Sequence, residues 1–189
     1  MLGHAGPVNI HCRPPAVCAA AVGRAVPGPG PYPPAVSDRR GLAPALIIGV
    51  GLGGFFDGIV LHQMLQWHHL VSGKVPAGDL AGLQFNTFVD GLFHQAMWLV
   101  TVVGVFLLYL RLVDTRRRGL RPLVGGILIG FGLFNVLDEI FFHVLLDLHH
   151  IRPGPDVVFW DLAFTAWGVA MIAVGWLMVR PSPGRTGHV

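Results

Sequence analysis

Charged side chains are scarce in this sequence. Asp, Glu, Lys and Arg make up 12% of the 189 residues, whereas hydrophobic residues make up 53%. That composition excludes an ordinary soluble enzyme, in which about a quarter of the residues are charged. Lysine occurs once, as Lys74, against twelve arginines, and the formal net charge is +3. In so apolar a chain this balance indicates orientation in a membrane and does not indicate binding to nucleic acid.

Cysteine is rare as well, and both copies, Cys12 and Cys18, lie close to the N-terminus. A zinc site of the thiolate type is therefore excluded from the remainder of the chain. The sequence also lacks a Walker loop, a glycine fingerprint for nucleotides and a GxSxG elbow. Phosphate-driven chemistry and serine-hydrolase chemistry consequently have no support.

Proline is concentrated at the N-terminus, where it occurs eight times between residues 7 and 34. It breaks helices, and the stretch contains too little apolar surface to form a core. The sequence therefore predicts a disordered tail over residues 1–41, and a second short disordered tail over residues 181–189.

Four long apolar stretches lie between these tails, at about residues 44–69, 83–110, 123–150 and 157–179. Each is long enough, as a helix, to cross about 30 Å of hydrocarbon. The sequence thus predicts an all-α, multi-pass protein of the cell membrane, with residues 42–180 as its transmembrane domain. Arginines precede the first stretch, follow the fourth and fill the middle loop, so the positive-inside rule predicts that both termini and residues 111–122 are cytoplasmic.

A repeated pattern organises these stretches. Asp57, His62 and the pair His68-His69 recur 81 residues later with the same spacing, as Asp138, His143, His149 and His150. The second and fourth stretches align at an offset of 71, which places Asp90 on Asp161. The sequence therefore predicts a four-helix bundle made of two parallel repeats of a helical hairpin. Small residues spaced for close approach predict that the first and third helices pack through Gly49, Gly53, Gly126 and Gly130.

Ionisable residues recur within the apolar stretches, toward their predicted outer ends. Burying such a group at bilayer depth costs at least a few kcal/mol, so it is kept only where it pairs, binds or lines a wet cavity. Carboxylate and imidazole four residues apart share a helix face, and facing helices with such pairs build metal sites. The sequence predicts a transition-metal site, of Fe, Zn or Cu, from Asp57, His62, Asp90, His94, Asp138, Glu139, His143 and Asp161.

Within that set we expect His62, His94 and His143 to be direct ligands, because they lie deep and come from three different helices. The two His-His pairs lie at the predicted membrane boundary, where water is available. We expect them to be secondary ligands that load the ion, and they comprise His68, His69, His149 and His150.

Several functions remain open at this point. A metal enzyme would be an oxidoreductase or a metal-dependent hydrolase. A non-enzymatic protein would carry copper or another metal, or assemble a respiratory complex, and a haem protein would use His62 and His143. Hydrogen bonds that only hold the helices together would also account for the cluster. Besides the lipid bilayer, a second copy of the chain or another membrane protein is a candidate partner.

Four strings carry a resemblance to known proteins: GFFDGIVLHQMLQWHH, FVDGLFHQAMW, NVLDEIFFHVLLDLHH and FWDLAFTAWG. Together they resemble a family of bacterial four-span predicted membrane proteins classed as a domain of unknown function. The resemblance covers roughly residues 42–180 and implies the fold and the membrane location, but no activity. A looser similarity is to membrane fatty-acid desaturases and hydroxylases, whose histidine boxes end in paired His. This sequence has five residues before each His-His and fewer boxes, so no catalytic roles are carried over.

Overall fold

A computed structural model describes residues 41–112 and 120–180. The predicted tails, apart from residue 41, lie outside the described residues, and so do Cys12 and Cys18. Arg116, Arg117 and Arg118 of the middle loop also lie outside them. The described part is helical, without strands. Its elements are α1 (Leu42–Phe56), π1 (Asp57–Met64), α2 (Leu80–Leu112), α3 (Leu120–Asp138), π2 (Glu139–Leu145) and α4 (Val157–Val179).

The described helices form four candidate membrane spans, which confirms the predicted all-α membrane architecture. They cover Leu42–Met64, Leu80–Arg111, Leu120–Leu145 and Val157–Val179, each long and apolar enough to cross a bilayer. In the first and third spans the π-helical segment continues the α-helix directly. These two spans end at Met64 and Leu145, before the His-His pairs that the sequence placed at their ends.

Helices α1 and α3 form the centre of the bundle and approach each other through small residues. A Cβ on Gly126 would lie 2.6 Å from the Cβ of Ala45, and a Cβ on Gly49 would lie 2.9 Å from the Cα of Gly130. Gly53 in turn packs on Phe134. Both partners advance together along these contacts, so α1 and α3 run parallel. The predicted glycine packing is confirmed, because side chains at these positions would hold the backbones apart.

The remaining two helices flank this central pair. Helix α2 packs antiparallel on α1, where Gly51 faces Thr101 and Gly104 faces Ile48. Helix α4 packs antiparallel on α3, where Gly132 faces Gly168. We refer to α1, π1 and α2 as the first hairpin and to α3, π2 and α4 as the second.

Each hairpin has an irregular loop, residues 65–79 in the first and 146–156 in the second. Both loops turn sharply, at Gln66 (φ 49°) and at Asp147 (φ 50°). After these turns the chain returns toward the bundle. We call the end of the bundle at which both loops lie the loop end. These two positions lie 81 residues apart, as do the residues of the predicted repeat. The duplication of the hairpin itself stays a prediction.

Candidate metal centre

Many polar side chains are buried in the interior of the bundle near its loop end. The largest side chains that are fully buried include three histidines and three aspartates: His62, His143, His149, Asp57, Asp90 and Asp138. Burying a polar group without a partner costs about 2–7 kcal/mol, and a charged one costs more. A cluster of this size therefore requires hydrogen bonds, ion pairs or a bound ion.

The π-helical segments bring each aspartate to the histidine five residues later. At about 100° per residue, an α-helix would separate such residues by about 140° around its axis. A π-helix, with its i→i+5 hydrogen bonds, brings them back to one face; such turns are rare and frequently occur at functional sites. His62 Nε2 consequently lies 3.1 Å from Asp57 Oδ2. His143 Nε2 lies 3.3 Å from Asp138 Oδ2 in the same arrangement.

The loops add two more histidines to this layer. His68 Nε2 lies 3.6 Å from Asp57 Oδ1, and His149 Nε2 lies 3.9 Å from Asp138 Oδ2. The rings of His68 and His143 are 6.3 Å apart between centroids, and those of His62 and His149 are 5.8 Å apart. Six side chains thus converge between the two hairpins. We call them the buried centre: Asp57, His62, His68, Asp138, His143 and His149.

Hydrogen bonds orient three of these imidazoles through their Nδ1 atoms. His68 Nδ1 lies 2.8 Å from the carbonyl oxygen of Ile151, and His149 Nδ1 lies 2.9 Å from that of Leu70. A carbonyl oxygen only accepts, so Nδ1 carries a proton, and in the neutral imidazole Nε2 then has a free lone pair. His62 Nδ1 lies 3.0 Å from Asp90 Oδ1, which favours the same tautomer. This arrangement is typical of metal-binding histidines.

The atoms that face the middle of the buried centre have no hydrogen-bond partner. This is true of Nε2 in all four histidines and of both carboxylate oxygens of Asp57 and Asp138. They approach one another to within 3.1–3.9 Å, but without the alignment of a hydrogen bond. Ligands that are each about 2.0–2.2 Å from one ion are separated from each other by distances of this order.

Three groups of three ligands are close enough to hold an ion, with donor atoms within 4.8 Å of one another. The first two groups share His149 and belong to the buried centre, whereas the third extends toward the surface. They are His62, His68 and His149; Asp138, His143 and His149; and His143, His150 and Asp161.

The His-His pairs are more buried than the sequence predicted, since it placed them at the membrane boundary in reach of water. His68 is 3% exposed and His149 is 2% exposed. His69 is also buried and lies with Nδ1 2.6 Å from Asp90 Oδ2. His150 alone among the four keeps a substantially exposed side chain, at 37%. The loops therefore return the pairs into the polar layer.

His94 is the predicted ligand that lies apart from the others. None of the three ligand groups found among the described residues includes it. Its Nε2 is buried without a hydrogen-bond partner, beside Gly58, where a Cβ would overlap that atom. Asp90, four residues earlier, pairs with His62 and His69 instead. The other pair at this spacing does form, because Glu139 Oε2 lies 2.8 Å from His143 Nδ1.

Asp90 and Asp161 have a role that sequence reasoning missed, since each anchors a loop. Asp90 accepts a hydrogen bond from the backbone N–H of Leu70 (2.9 Å), and Asp161 accepts one from Ile151 (3.0 Å). The carbonyls of the same two loop residues hold His149 and His68. The spacing of these aspartates in the sequence does not predict the loop contacts, because their partners are backbone groups of loop residues.

In the described loops outside the helices, two ionisable groups have shifted pKa values. Burial lowers the pKa of His68 from its ordinary value, because an imidazolium loses its hydration there; Asp57 opposes the shift. This shift favours the neutral form of His68, which is the form that binds metals. Lys74 Nζ, 2.8 Å from Asp147 Oδ2, lowers the pKa of that exposed carboxyl.

Apolar and aromatic side chains cover part of the buried centre. Leu61, Ile151 and Phe164 form a buried cluster against which Trp67 and Trp160 pack. The two indole rings are 5.0 Å apart between centroids, and the guanidinium of Arg152 lies 5.3 Å and 5.5 Å from them. Such a cover excludes water, which strengthens electrostatic interactions beneath it.

Comparison with known proteins agrees with the membrane architecture. No curated protein and no solved structure matches the chain. The family described as "Predicted membrane protein (DUF2243)" matches residues 44–182, which include the buried centre and all four spans apart from residues 42 and 43. The chain belongs to this family of predicted membrane proteins of unknown function.

Proposed function

We propose that this chain is an integral membrane metalloprotein that holds a transition metal in the buried centre. One observation carries the proposal: the Nε2 atoms of four buried histidines lack hydrogen-bond partners, although Nδ1 of three of them is hydrogen-bonded. Leaving so many buried acceptors unpaired is costly unless something binds them. A metal ion compensates that cost.

The donor atoms indicate which metals suit the centre. Four imidazoles and two carboxylates favour Fe, Zn or Cu(II), and the centre contains neither thiolate nor thioether, which Cu(I) prefers. Each ligand group offers three residues, so an ion held by one group would keep open positions, as catalytic sites do. An open position would suit an oxidoreductase or hydrolase, whereas an ion closed to substrate would suit a carrier or assembly factor.

Two alternatives fit the geometry less well. Hydrogen bonds that only pin the helices would align Nε2 of His62 with Asp57, yet these atoms approach without that alignment. A haem between His62 and His143 would need space in front of both Nε2 atoms. Carboxylates occupy that space, 3.1 Å and 3.3 Å away.

In the membrane we propose that the loop end faces outward and that both termini and the middle loop are cytoplasmic. The arginines that flank the spans support this orientation, because all of them except Arg152 lie at the opposite ends of the spans.

We also propose that the hairpins arose by duplication. Corresponding contacts support this: Leu65 N to Val60 O (2.8 Å) has its counterpart in Leu146 N to Phe141 O (2.9 Å).

The test is the metal content of protein purified in detergent from cells supplied with Fe, Zn and Cu, measured with its visible spectrum. We expect at least one transition-metal ion per chain and no Soret band. A His62→Ala/His143→Ala double variant should retain only background metal. The matched control is His4→Ala/His188→Ala, which removes two histidines beyond the spans. Metal-free wild-type protein, or equal metal in both double variants, would refute the proposal.

A further inference from the structure

A line of ligand groups connects the buried centre with the surface of the second hairpin. Asp147 is exposed, at 64%, and its Oδ1 lies 3.3 Å from His150 Nε2. The other ring nitrogen of His150, Nδ1, lies 2.8 Å from Asp161 Oδ2. Carboxylate and imidazole thus alternate from the solvent inward.

His143 continues this line into the buried centre, because its two ring nitrogens face different groups. Its Nδ1 lies 3.4 Å from Asp161 Oδ1 and 2.8 Å from Glu139 Oε2. Its Nε2 faces Asp138 at 3.3 Å. His143 is therefore a member of both the outer and the inner group of ligands.

The first hairpin has no such line at the corresponding positions. Gln66 stands in place of Asp147, and Gly58 in place of Glu139. His69 and Asp90, which correspond to His150 and Asp161, have side chains that are only 10% and 0% exposed. A line of ligand groups from the solvent inward thus occurs in the second hairpin and not at the matching positions of the first.

We propose that His150 and Asp161, with Asp147 at the mouth, form an outer binding site through which divalent transition-metal ions reach the buried centre. This inference rests on the proposed function. Asp147 lies 3.3 Å from His150, and the donor atoms within each inner ligand group lie within 4.8 Å, so an ion contacts the next ligand before it leaves the last. The ion therefore keeps at least one ligand throughout, which matters because an unpaired charge inside the bundle is very costly.

Lys74 lies at the mouth of this route. Its Nζ lies 2.8 Å from Asp147 Oδ2, and its side chain is 49% exposed. An exposed ion pair of this kind is weak and is screened by salt, so an arriving dication displaces it. Lys74 therefore slows loading without preventing it.

The inference can be tested with Co²⁺, whose visible bands report coordination, added to metal-free protein in detergent micelles under stopped flow. Asp147→Asn and His150→Ala should slow loading about tenfold, the lower end of the effect expected when a supporting ligand is lost. The control is Gln66→Asn, at the same backbone turn of the first hairpin. Asn tolerates the positive φ of both turns, so neither change strains the backbone.

Release of Co²⁺ to EDTA supplies a second measurement. Since an ion leaves by the route on which it arrives, Asp147→Asn should slow release by the same factor as loading. Lys74→Gln should speed loading several-fold. Arg152→Gln removes a positive charge from the loop that contains Asp147, but its guanidinium lies over Trp67 and Trp160, so it should have a smaller effect.

The outcomes separate the two proposals. Wild-type protein that takes up no Co²⁺ and has no native metal refutes the buried centre itself. Protein that loads normally, with equal rates for Asp147→Asn, His150→Ala and Gln66→Asn, overturns the outer site alone. An Asp147→Asn variant with weakened affinity but unchanged loading rate would also overturn it, because Asp147 would then belong to the centre.

Discussion

The rings of His68 and His149 stack with their centroids 4.5 Å apart and their planes within 6°. Each ring is held by the loop of the other hairpin, since His68 Nδ1 donates to the carbonyl of Ile151 and His149 Nδ1 to that of Leu70. The buried centre is therefore complete only when both hairpins are assembled. It is an interface site and not two separate ones.

This relationship predicts that His68→Ala and His149→Ala each remove as much metal as His62→Ala. All three imidazoles are buried and present a free Nε2, so each loss removes a ligand that water cannot easily replace. Metal content after purification is the measurement. The sequence alone predicts slower loading only; full metal content in both loop variants would support that earlier expectation.

For His94→Ala we expect metal content close to that of the wild type. The reason is that His94 Nε2 lies beside Gly58 and outside the three ligand groups of the described residues. This variant also serves as the matched control for His62→Ala, because both remove an imidazole from a span. Loss of metal from the His94→Ala variant would show that His94 is a ligand.

Asp90→Asn should weaken metal affinity by about 10- to 100-fold, the usual cost of losing a hydrogen-bond partner of a metal-bound histidine. Asp90 is fully buried and supports His62, His69 and the backbone of Leu70. The measurement is competition with a chelator of known affinity. Asp156→Asn makes the same chemical change in an exposed residue at the start of α4 that forms no side-chain cap. Equal affinities of the two variants would contradict the positioning role.

Gly49→Ala and Gly130→Ala should lower the melting temperature of the detergent-solubilised protein. The added methyl groups would meet the backbone oxygens of Ile127 and Leu46, which cannot move aside, and overpacking of this kind costs about 1–3 kcal/mol. Gly91→Ala is the control, because a Cβ there meets nothing within 4 Å. In that helix interior, alanine should be neutral or slightly stabilising. Equal melting of all three variants would refute close packing of α1 on α3.

Membrane orientation predicts opposite labelling of two introduced cysteines. In a Cys12→Ala/Cys18→Ala background, Gly78→Cys should react with an impermeant maleimide added to intact cells, since residue 78 is exposed and uncrowded. Leu120→Cys, equally exposed but at the other end of the bundle, should react only after lysis. The reverse pattern would place the loop end in the cytoplasm.

Much of the architecture could be predicted from the sequence. Whether a helix crosses a bilayer depends on the length and composition of one continuous stretch, so four spans follow directly. Glycines four residues apart, such as Gly49 and Gly53, lie on one helix face whatever surrounds them. The expectation of a polar layer near one end followed from the energetic cost of each buried ionisable residue.

The identity of the residues that face one another was harder to predict. Regular α-helical spacing favours Asp90 with His94, yet Asp90 pairs with His62 and His69. One signal was present in the sequence: the position that corresponds to Glu139 is Gly58. Its missing side chain leaves room for His94 in the first hairpin, where the second has a carboxylate beside its histidine.

By itself the sequence determined the four spans, their flanking charges and the inventory of histidines and carboxylates, because each depends on residues close together in the chain. Only the tertiary structure decided that Asp57 meets His62 across a π-helical turn and that His68 and His149 fold back into the bundle. Both depend on backbone geometry that distant partners stabilise, such as the hydrogen bond from Leu70 to Asp90 across 20 residues. Such contacts cannot be predicted from the spacing of residues along a helix.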